Sequence, residues 1–526
     1  MGKTKEEEQE RQEMRMNNGL AIDTLHDQLL TLSRQTKYMF EMLRGDWGKT
    51  NSEVYNKQFV QFCRSMRQLA KDSPVKWFNG GYYLFNGRIY ERVENSVIEQ
   101  AYQLLLEDLG IAPMLSRTAV RKETFLEVIR QYNILVPQFD VVAFKNGVVD
   151  FGLGGKNPQA MPFSPQYHVV YYHPYDYNPK AGCKRWLNFL HEVLPDFNSR
   201  LILQMFLGLG LIQRGDAYNK YEGKAASKIE LCLLLVGTGA NGKSVIFEVA
   251  CALFGMDRIS KMDYADLTAD GDEGMRGRFP IRNAIFNWSS DSDPKKFGKK
   301  NTGMFKRLVS GEPVPMREIG RNVLESGTLP YLIFNMNELP SSEDVSLGFI
   351  RRLQYIGFDV TIPKEKQDPY LAAKIVKEEM SGVFNWVFRG SQELRRRKFV
   401  FPVAGNASRL LIKSLLTSHP IAAWVKAYSM RESRMVKGEL SNDIPAAVMY
   451  ESFCNFCEDN DAGEIPTVNK FGREMVTRMG FAKRRMRGGV FYQVFGASEE
   501  NLKERILVGD IPEEEEEKES FIKDDD

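Results

Sequence analysis

Apolar runs that suit buried strands lie in the middle of the chain, between segments with helical periodicity. Ile229 to Val236 is apolar at nearly every position, as is typical of a strand buried on both faces of a parallel sheet. Two more runs, Ala284–Trp288 and Leu329–Met336, are followed directly by polar residues. Gln354–Val360 also has strand character. The pattern predicts a central α/β domain built on a parallel sheet.

The flanking segments predict different architectures. Before the central region, helical spacing of apolar residues alternates with aromatic strands and Asn-Gly turns, which predicts an α+β domain. After it, three helical segments precede a predicted hairpin, Phe481–Phe495, with Gly488-Gly489 at its turn. The first region has predicted helices at Leu20–Leu43, Gln58–Leu69, Val97–Leu109 and Lys122–Tyr132, and predicted strands within Trp77–Tyr90 and Val141–Asp150.

The composition is that of an ordinary globular protein. The 526 residues are 43% hydrophobic and 27% charged, with a formal net charge of +2, which neither indicates nor excludes a nucleic-acid partner. No run of roughly 18 apolar residues and no signal-peptide core occurs, so we expect no membrane span and a cytoplasmic location. The six cysteines suit a reducing compartment. Cys454 and Cys457 lack further ligands, which favours packing on one helix face over a zinc site.

The residues that follow Val236 carry the clearest chemical signal. The phosphate-binding pattern G-x-x-x-x-G-K-[ST] lies between a predicted strand and a helix-compatible stretch. Glycines let the backbone turn its N–H groups toward phosphate oxygens, and the helix N-terminus adds positive potential. We expect Lys243 to contact the β- and γ-phosphates of ATP and the Ser244 hydroxyl to bind Mg²⁺. The residues that match are Gly237, Thr238, Gly239, Ala240, Asn241, Gly242, Lys243 and Ser244.

Several ordered segments resemble the virus and plasmid primase–helicase family. They are AFKNGVVDF, then FSPQYHVVYYHPYDYNPKAGCKRWLNFL, then a P-loop with Asn before its last Gly. The resemblance runs from about residue 75 to about residue 500. It implies a superfamily-3 helicase motor of the AAA+ class behind an α+β domain. It also implies single-stranded or forked DNA as partner, a homo-hexamer, contact with replication proteins, and, for a phage protein, the host cytoplasm.

The resemblance also implies roles for the polar residues after each central strand. Asp291 matches the Walker B acid that holds Mg²⁺, at the tip of a strand expected beside the P-loop strand, although Asp293 stays an alternative. Asn337, in N-x-x-P, matches the sensor of the γ-phosphate or the lytic water, ahead of its neighbour Asn335. Arg352 matches the arginine finger that acts across a subunit boundary, with Arg351 as the alternative.

Basic residues predict two DNA-contacting regions. Lys306, with Ser310-Gly311-Glu312, resembles a family element that precedes a DNA-gripping hairpin. Arg317 and Arg321 would then reach DNA phosphates in a central channel, with sequence-independent and salt-sensitive binding. In the C-terminal region, Arg484 and Arg485 lie in the predicted hairpin of a winged helix. A winged helix can also be a protein-docking module.

These observations together predict five regions. Residues 1–75 are a helical N-terminal arm, and residues 76–215 are the α+β domain typical of phage and plasmid primase–helicases. Residues 216–395 are the superfamily-3 AAA+ motor, and residues 415–500 are the winged helix. Residues 501–526 form an acidic tail that we expect to be solvated.

The sequence therefore predicts an ATP-dependent DNA helicase of superfamily-3 type for replication of a phage, plasmid or mobile element. Three alternatives stay open. The first is the helicase part of a primase–helicase with priming activity, although residues 1–140 show no clustered catalytic Asp pair with a partner His. The second is a P-loop ATPase switch that is not a helicase. The third is a DNA-binding loader.

Overall fold

The computed structural model divides the chain into two compact units, residues 1–177 and residues 178–526. Each unit has its own sheets and helices, and they are described separately. The residues that the structure describes are 21–34, 60, 64–78, 80–108, 119–136, 141–151, 160–212, 229–290, 292–293, 297, 301–317, 323–325, 329–340, 347–416, 419–431, 441–462 and 464–509.

The first unit is an α+β structure with two small sheets. An antiparallel sheet has the order β1-β2-β3, and a second sheet pairs β4 antiparallel to β5 and parallel to β6. Two helical stretches, 21–34 and 64–72, pack their apolar faces with α1 and α2 into one core. The elements are β1 (Lys76–Phe78), β2 (Gly81–Phe85), β3 (Tyr90–Val93), α1 (Asn95–Asp108), α2 (Ala119–Tyr132), β4 (Val141–Phe144), β5 (Gly147–Asp150) and β6 (Tyr172–His173).

These elements confirm the strands and the later helices predicted for this region. The predicted helix Leu20–Leu43 is helical at 21–34, and its remainder lies outside the described residues. The predicted helix Gln58–Leu69 is helical at residue 60 and at 64–72. The strand–turn–strand signal of 141–150 is present as the β4–β5 hairpin.

The second unit is built on a five-stranded, all-parallel sheet. Its strand order is β13-β7-β12-β9-β8, and every pair is parallel. A separate two-stranded ribbon pairs β10 with β11. The strands are β7 (Cys232–Val236), β8 (Ile259–Ser260), β9 (Phe286–Ser289), β10 (Pro315–Arg317), β11 (Val323–Glu325), β12 (Tyr331–Met336) and β13 (Leu353–Gly357).

The strand order corrects one prediction. β9, the strand expected beside the P-loop strand, is separated from β7 by β12. All residues of β7, β9 and β12 are buried. A strand that is apolar on both faces can pair with any similar strand, so its sequence pattern does not identify its neighbours.

The part of the second unit that holds the parallel sheet also has helices before, between and after its strands. They are α3 (Lys184–Val193), α4 (Phe197–Gly208), α5 (Lys243–Phe254), α6 (Tyr264–Thr268), α7 (Gly271–Gly277), α8 (Thr302–Ser310), α9 (Leu347–Ile350), α10 (Leu371–Glu378) and α11 (Met380–Arg396).

The close packing of α4 on α11 explains why one predicted boundary differs from the structure. An added Cβ at Gly208 would lie 2.5 Å from the amide nitrogen of Ser391, and one at Gly390 would lie 2.2 Å from the carbonyl oxygen of Gln204. Glycine at the crossing therefore lets the two backbones touch. The sequence predicts a boundary at 215, whereas the second compact unit begins at residue 178, so α3 and α4 lie in the same unit as the parallel sheet.

The last part of the second unit combines helices with a three-stranded sheet of order β14-β16-β15. Its core, centred on Trp424 and Phe453, continues into Ile412 and Leu415 of α12. The hairpin turn is Arg487-Gly488, one residue before the predicted Gly488-Gly489, since Met486 pairs with Gly489. The elements are α12 (Ala407–Leu416), α13 (Pro420–Ala427), β14 (Asn442–Pro445), α14 (Ala446–Asp459), α15 (Val468–Thr477), β15 (Ala482–Met486) and β16 (Gly489–Val494).

Within the described ranges, no helix combines the length and the apolarity needed to cross a membrane. Cys454 and Cys457 both lie on α14, and Cys457 is buried, as the core-packing prediction expects. Of the predicted acidic tail, residues 501–509 are described and the rest lies outside the described residues.

Candidate nucleotide site and its surroundings

The candidate nucleotide site begins with the loop that joins β7 to α5. Gly239 and Gly242 have φ values of +105° and +85°, and Ala240 between them has +49°. These left-handed values favour glycine and turn successive amides toward one side. Gly242 occupies the N-cap position of α5 and has no side chain to cap it. The N–H groups of the first turn therefore lack a capping oxygen and can donate to a phosphate.

Lys243 lies folded back onto this loop. It begins α5, is 6% exposed, and donates from Nζ to the carbonyl oxygen of Gly237 at 2.6 Å and to Oδ1 of Asn241 at 3.1 Å. Burial lowers the pKa of its ammonium group from 10.5 to about 8. A polyphosphate placed beside it would stabilise the charged form and raise that pKa again.

The Asn241 side chain fits an acceptor group from a nucleotide. It is 3% exposed, and its Nδ2 has no hydrogen-bond partner among the described residues. A buried donor without an acceptor is costly, so an acceptor oxygen from a nucleotide fits here. Gly237 makes room for this amide, because a Cβ on Gly237 would lie 2.3 Å from Nδ2 and 2.7 Å from the carbonyl oxygen of Phe358.

The predicted Mg²⁺ ligands are only partly described. Ser244 is exposed on the first turn of α5, which leaves its hydroxyl accessible. Asp291 lies outside the described residues, whereas Asp293 is half-buried. Between them, the Ser292 amide donates to the carbonyl oxygen of Asn335 at 3.0 Å, which anchors this segment to β12.

The donor set fits Mg²⁺ because this ion keeps several waters and phosphate oxygens and needs only one or two protein ligands. Among the described residues there is no group of three or more His, Cys, Asp or Glu that could hold a metal by itself. A Mg²⁺ site that also uses a bound triphosphate does not need such a group.

The two asparagines of β12 and its end have different environments. Register with β7 places Asn337 level with Gly237, and Asn337 is exposed at the carboxyl end of the sheet. Asn335 is 3% exposed, and its Oδ1 accepts a hydrogen bond from Nε1 of Trp288 at 2.9 Å. Asn337 is therefore the one whose amide lies beside the phosphate-binding loop and is open to a ligand.

The arginine pair lies at the opposite end of the same sheet. Arg352 directly precedes β13, whose first residue, Leu353, pairs with Cys232 at the start of β7. The P-loop follows the other end of β7, five residues away, which is about 17 Å at roughly 3.3 Å per residue. Neither Arg351 nor Arg352 can therefore extend to the phosphate loop of its own subunit without unfolding β13.

Glu230 pairs with both arginines at this amino end of the sheet. Its Oε2 accepts from Nη2 of Arg351 at 2.8 Å and from Nη2 of Arg352 at 2.9 Å, while Oε1 accepts from the Ser310 hydroxyl at 2.9 Å. Arg352 also donates to Ser310 Oγ at 2.9 Å and to the carbonyl oxygen of Gly348. We call these four side chains, Glu230, Ser310, Arg351 and Arg352, the arginine cluster.

The ribbon of β10 and β11 follows α8 and carries the first predicted DNA-contacting region. Nη1 of Arg317 donates to Oδ1 of Asp272 at 2.7 Å, and this bond is the main reason why the pKa of that carboxyl is lowered. Arg276 also pairs with Asp272. Lys306 is half-buried on α8, and Arg321 lies outside the described residues. Arg317 is therefore tied to α7 in this structure.

The second basic region lies on β15, an edge strand of the three-stranded sheet. Arg485 is exposed, and Arg484 is exposed with Nη2 donating to Oε1 of Gln493 at 3.1 Å. Asp443 lies 3.9 Å from Arg484, which partly offsets its charge. Successive strand residues point to opposite faces, so the two arginines present positive charge on both sides of the hairpin.

Sequence reasoning did not identify Glu230 and Asp272. Glu230 is the single acid in the apolar run of 229–236, and that isolation is the available signal. Its partners are 80 and 121 positions away along the chain. Asp272 has no comparable signal, because acids are common in helix first turns.

Two family models match parts of the chain. Residues 116–195 match the model described as "D5 N terminal like", and residues 235–352 match the model described as "Family of unknown function (DUF5906)". Both are typical of phage and plasmid primase–helicase proteins. The second match extends from β7 to Arg352 and so includes the phosphate loop, Asn337 and the arginine pair.

Solved structures of the NrS-1 C-terminal region are similar over most of the chain. One, described as an A-form apo structure, has 12% identity and a TM-score of 0.40, and the match covers 79% of this chain and 93% of the other. Another, of residues 305–718, has 12% identity and a TM-score of 0.38, with coverage of 82% and 98%. TM-scores below 0.5 do not establish a shared fold.

Proposed function

We propose that this protein is an ATP-dependent DNA helicase of superfamily-3 type, with an AAA+ motor, acting in the replication of a phage, plasmid or related mobile element. The observation that carries the proposal is the shared edge of the parallel sheet. There, a glycine-rich loop with uncapped amides, a buried lysine and an orphan amide of Asn241 lie beside the exposed Asn337. The family context of both matched segments supports a replication protein.

In the proposed mechanism, the chain first binds the triphosphate. Backbone N–H groups of residues 237–244 donate to phosphate oxygens, and Lys243 leaves the Gly237 carbonyl to contact the β- and γ-phosphates. The Asn241 amide gains an acceptor. Ser244 and Asp291 would hold Mg²⁺, which supplies positive charge to the transferred phosphoryl group.

Hydrolysis then depends on residues from two subunits. Asn337 both donates and accepts hydrogen bonds, so it can orient the lytic water against the γ-phosphate. Its own arginine pair lies about 17 Å away at the other end of the sheet. The fixed positive charge that stabilises the transition state therefore comes from the pair Arg351–Arg352 of a neighbouring subunit. A site shared in this way requires a ring, and we propose a homo-hexamer.

The basic ribbon and the C-terminal region would engage DNA. We propose that the segment between β10 and β11, with Arg321, contacts the backbone of one DNA strand. Arg317 and Lys306 would support the part of the protein from which this segment projects. We interpret the helices α13 to α15 with their hairpin as a winged helix, with Arg484 and Arg485 on the wing. Such contacts are sequence-independent and weaken with salt.

The test is unwinding of a forked DNA duplex by the full-length chain, together with ATP hydrolysis with and without single-stranded DNA. We expect ATP-dependent unwinding and DNA-stimulated hydrolysis, both abolished by Lys243→Ala. The matched control is Lys413→Ala, at an exposed position on α12. A rate of ATP hydrolysis that is the same with and without DNA, with no unwinding, would contradict the proposal and favour an ATPase switch. DNA binding without hydrolysis would favour a loader.

A further inference from the structure

We infer that Arg351 is the residue that enters the neighbouring subunit's nucleotide site, and that Glu230, Ser310 and Arg352 are the positioning residues that hold it there. This inference rests on the proposed function, since it concerns how the shared site is completed. It reverses the preference for Arg352 that the resemblance suggests, and it adds a role for Glu230.

Exposure separates the two arginines. The side chain of Arg351 is 65% exposed, whereas that of Arg352 is 10% exposed. A side chain that crosses a subunit boundary must project from its own subunit. Arg351 already does so, with one guanidinium nitrogen on Glu230 and the rest of the group in solvent.

Hydrogen bonding separates them further. Both terminal nitrogens of Arg352 are engaged inside the subunit, by Gly348, Ser310 and Glu230, and its buried Nε has no hydrogen-bond partner in the described part of the chain. To extend outward, Arg352 would have to leave all three partners. That movement would remove one donor from the Glu230 carboxylate and the arginine donor from the Ser310 hydroxyl, and it would break a largely buried ion pair, which is costly away from water. Arg352 is therefore an anchor.

The charge balance explains how Glu230 serves the pair. One carboxylate carries a single negative charge and faces two guanidinium groups. Neutralisation is needed most by the buried Arg352, since an uncompensated buried charge is strongly destabilising. The remaining positive charge of the cluster resides on the exposed Arg351, where it is available to a γ-phosphate. Ser310 bridges Glu230 and Arg352 and fixes the carboxylate's orientation.

The test uses subunit mixing in the full-length protein. Arg351→Ala leaves the phosphate loop intact but removes the finger, whereas Lys243→Ala leaves the finger intact but removes the phosphate loop. We expect Arg351→Ala alone to lose about 10³-fold in kcat and Lys243→Ala alone to show no hydrolysis. Mixed together, they should recover hydrolysis at those interfaces where the intact finger faces the intact loop. Arg351→Ala should keep the wild-type KM and melting temperature.

The positioning role of Glu230 has its own readout. Glu230→Gln keeps the shape of the side chain and removes its charge. Placed in the Lys243→Ala subunit, it should reduce the recovered activity at least several-fold, because Glu230 acts in the subunit that donates the finger. Placed in the Arg351→Ala subunit, the same substitution should change the recovery little. A purely structural role would give equal loss in both arrangements.

Two outcomes would overturn the inference while leaving the helicase proposal intact. One is wild-type hydrolysis by Arg351→Ala alone. The other is loss of kcat at an unchanged melting temperature in Arg352→Ala, with recovery when that variant is mixed with Lys243→Ala. Absence of hydrolysis in the wild-type chain would instead contradict the proposed function itself.

Discussion

The two ends of the five-stranded sheet differ in which polar groups are held within the protein and which are open to a ligand. At the carboxyl end, the loop of residues 237–244 leaves donors unsatisfied, including the buried amide of Asn241. At the amino end, Glu230 and Ser310 hold both terminal nitrogens of the buried Arg352 together with Gly348, while most of the Arg351 guanidinium is exposed. Open donors on a loop can be completed by a nucleotide, whereas an anchored arginine pair can present a fixed positive charge. The difference supports the proposal that one end receives the triphosphate and the other completes a neighbour's site.

The largest effect on nucleotide binding and stability should come from adding a methyl group at Gly237, at the carboxyl end of the sheet. Gly237→Ala would place Cβ within 2.7 Å of the Phe358 carbonyl oxygen, a backbone atom that cannot swing aside, as well as against Asn241. We expect loss of nucleotide binding and a decrease of about 1–3 kcal/mol in the free energy of unfolding. Thermal unfolding with and without ATP would measure both.

The matched control is Gly303→Ala on α8, where an added Cβ meets nothing within 4 Å. In a helix this change should stabilise the protein by up to about 1 kcal/mol and leave nucleotide binding unchanged. If Gly237→Ala behaved like Gly303→Ala, the close approach at the loop would have no part in nucleotide binding.

The next prediction separates catalysis from packing within one strand. Asn337→Ala should lower kcat by about 10²-fold, since it removes a positioned hydrogen-bonding group, and should not change the melting temperature because Asn337 is exposed. Asn335→Ala should instead lower the free energy of unfolding by about 1–3 kcal/mol, because it leaves the Trp288 indole N–H buried and unpaired. Steady-state kinetics and denaturant titration would check the pair. The opposite split would assign the sensor role to Asn335.

How much of this was readable from the sequence differs between the two ends. The phosphate loop follows from a local pattern of eight residues, whereas the expected role of Asn337 comes from the family resemblance, through its N-x-x-P position after the third apolar run. Glu230 and Ser310 could not be paired from the sequence, because they lie 80 positions apart and their hydrogen bond forms only in the folded protein. The order of β9 and β12 was equally hidden, since fully buried strands carry no pattern that identifies a neighbour.

A smaller effect on the affinity for ATP is expected from a change of pH. The pKa of Lys243 is about 8 without nucleotide because burial disfavours the ammonium form. Above pH 8, ATP binding must therefore take up a proton, and affinity should fall by up to about tenfold per pH unit. In Lys243→Arg the guanidinium stays charged, so its affinity should be flat over the same range. Calorimetric titration between pH 7 and 9 would measure this. Equal pH dependence in both proteins would contradict it.

The smallest effect should distinguish the two basic regions. Arg485→Ala removes an exposed cation and should reduce the salt dependence of DNA binding by about one phosphate contact. Arg317→Ala should change that slope less, because Arg317 is already paired with Asp272. Fluorescence anisotropy across a salt series would measure both, with Lys413→Ala as control. A larger slope change for Arg317→Ala would move the main DNA contact to the ribbon.

A site shared between subunits is tested most directly by ATP hydrolysis per subunit as a function of protein concentration, with and without single-stranded DNA, alongside sedimentation to follow assembly. If the two ends of the sheet from neighbouring subunits form one site, the rate per subunit should rise as rings assemble and rise further with DNA. A rate per subunit that is constant while the protein remains monomeric would contradict the shared site, and with it the ring helicase.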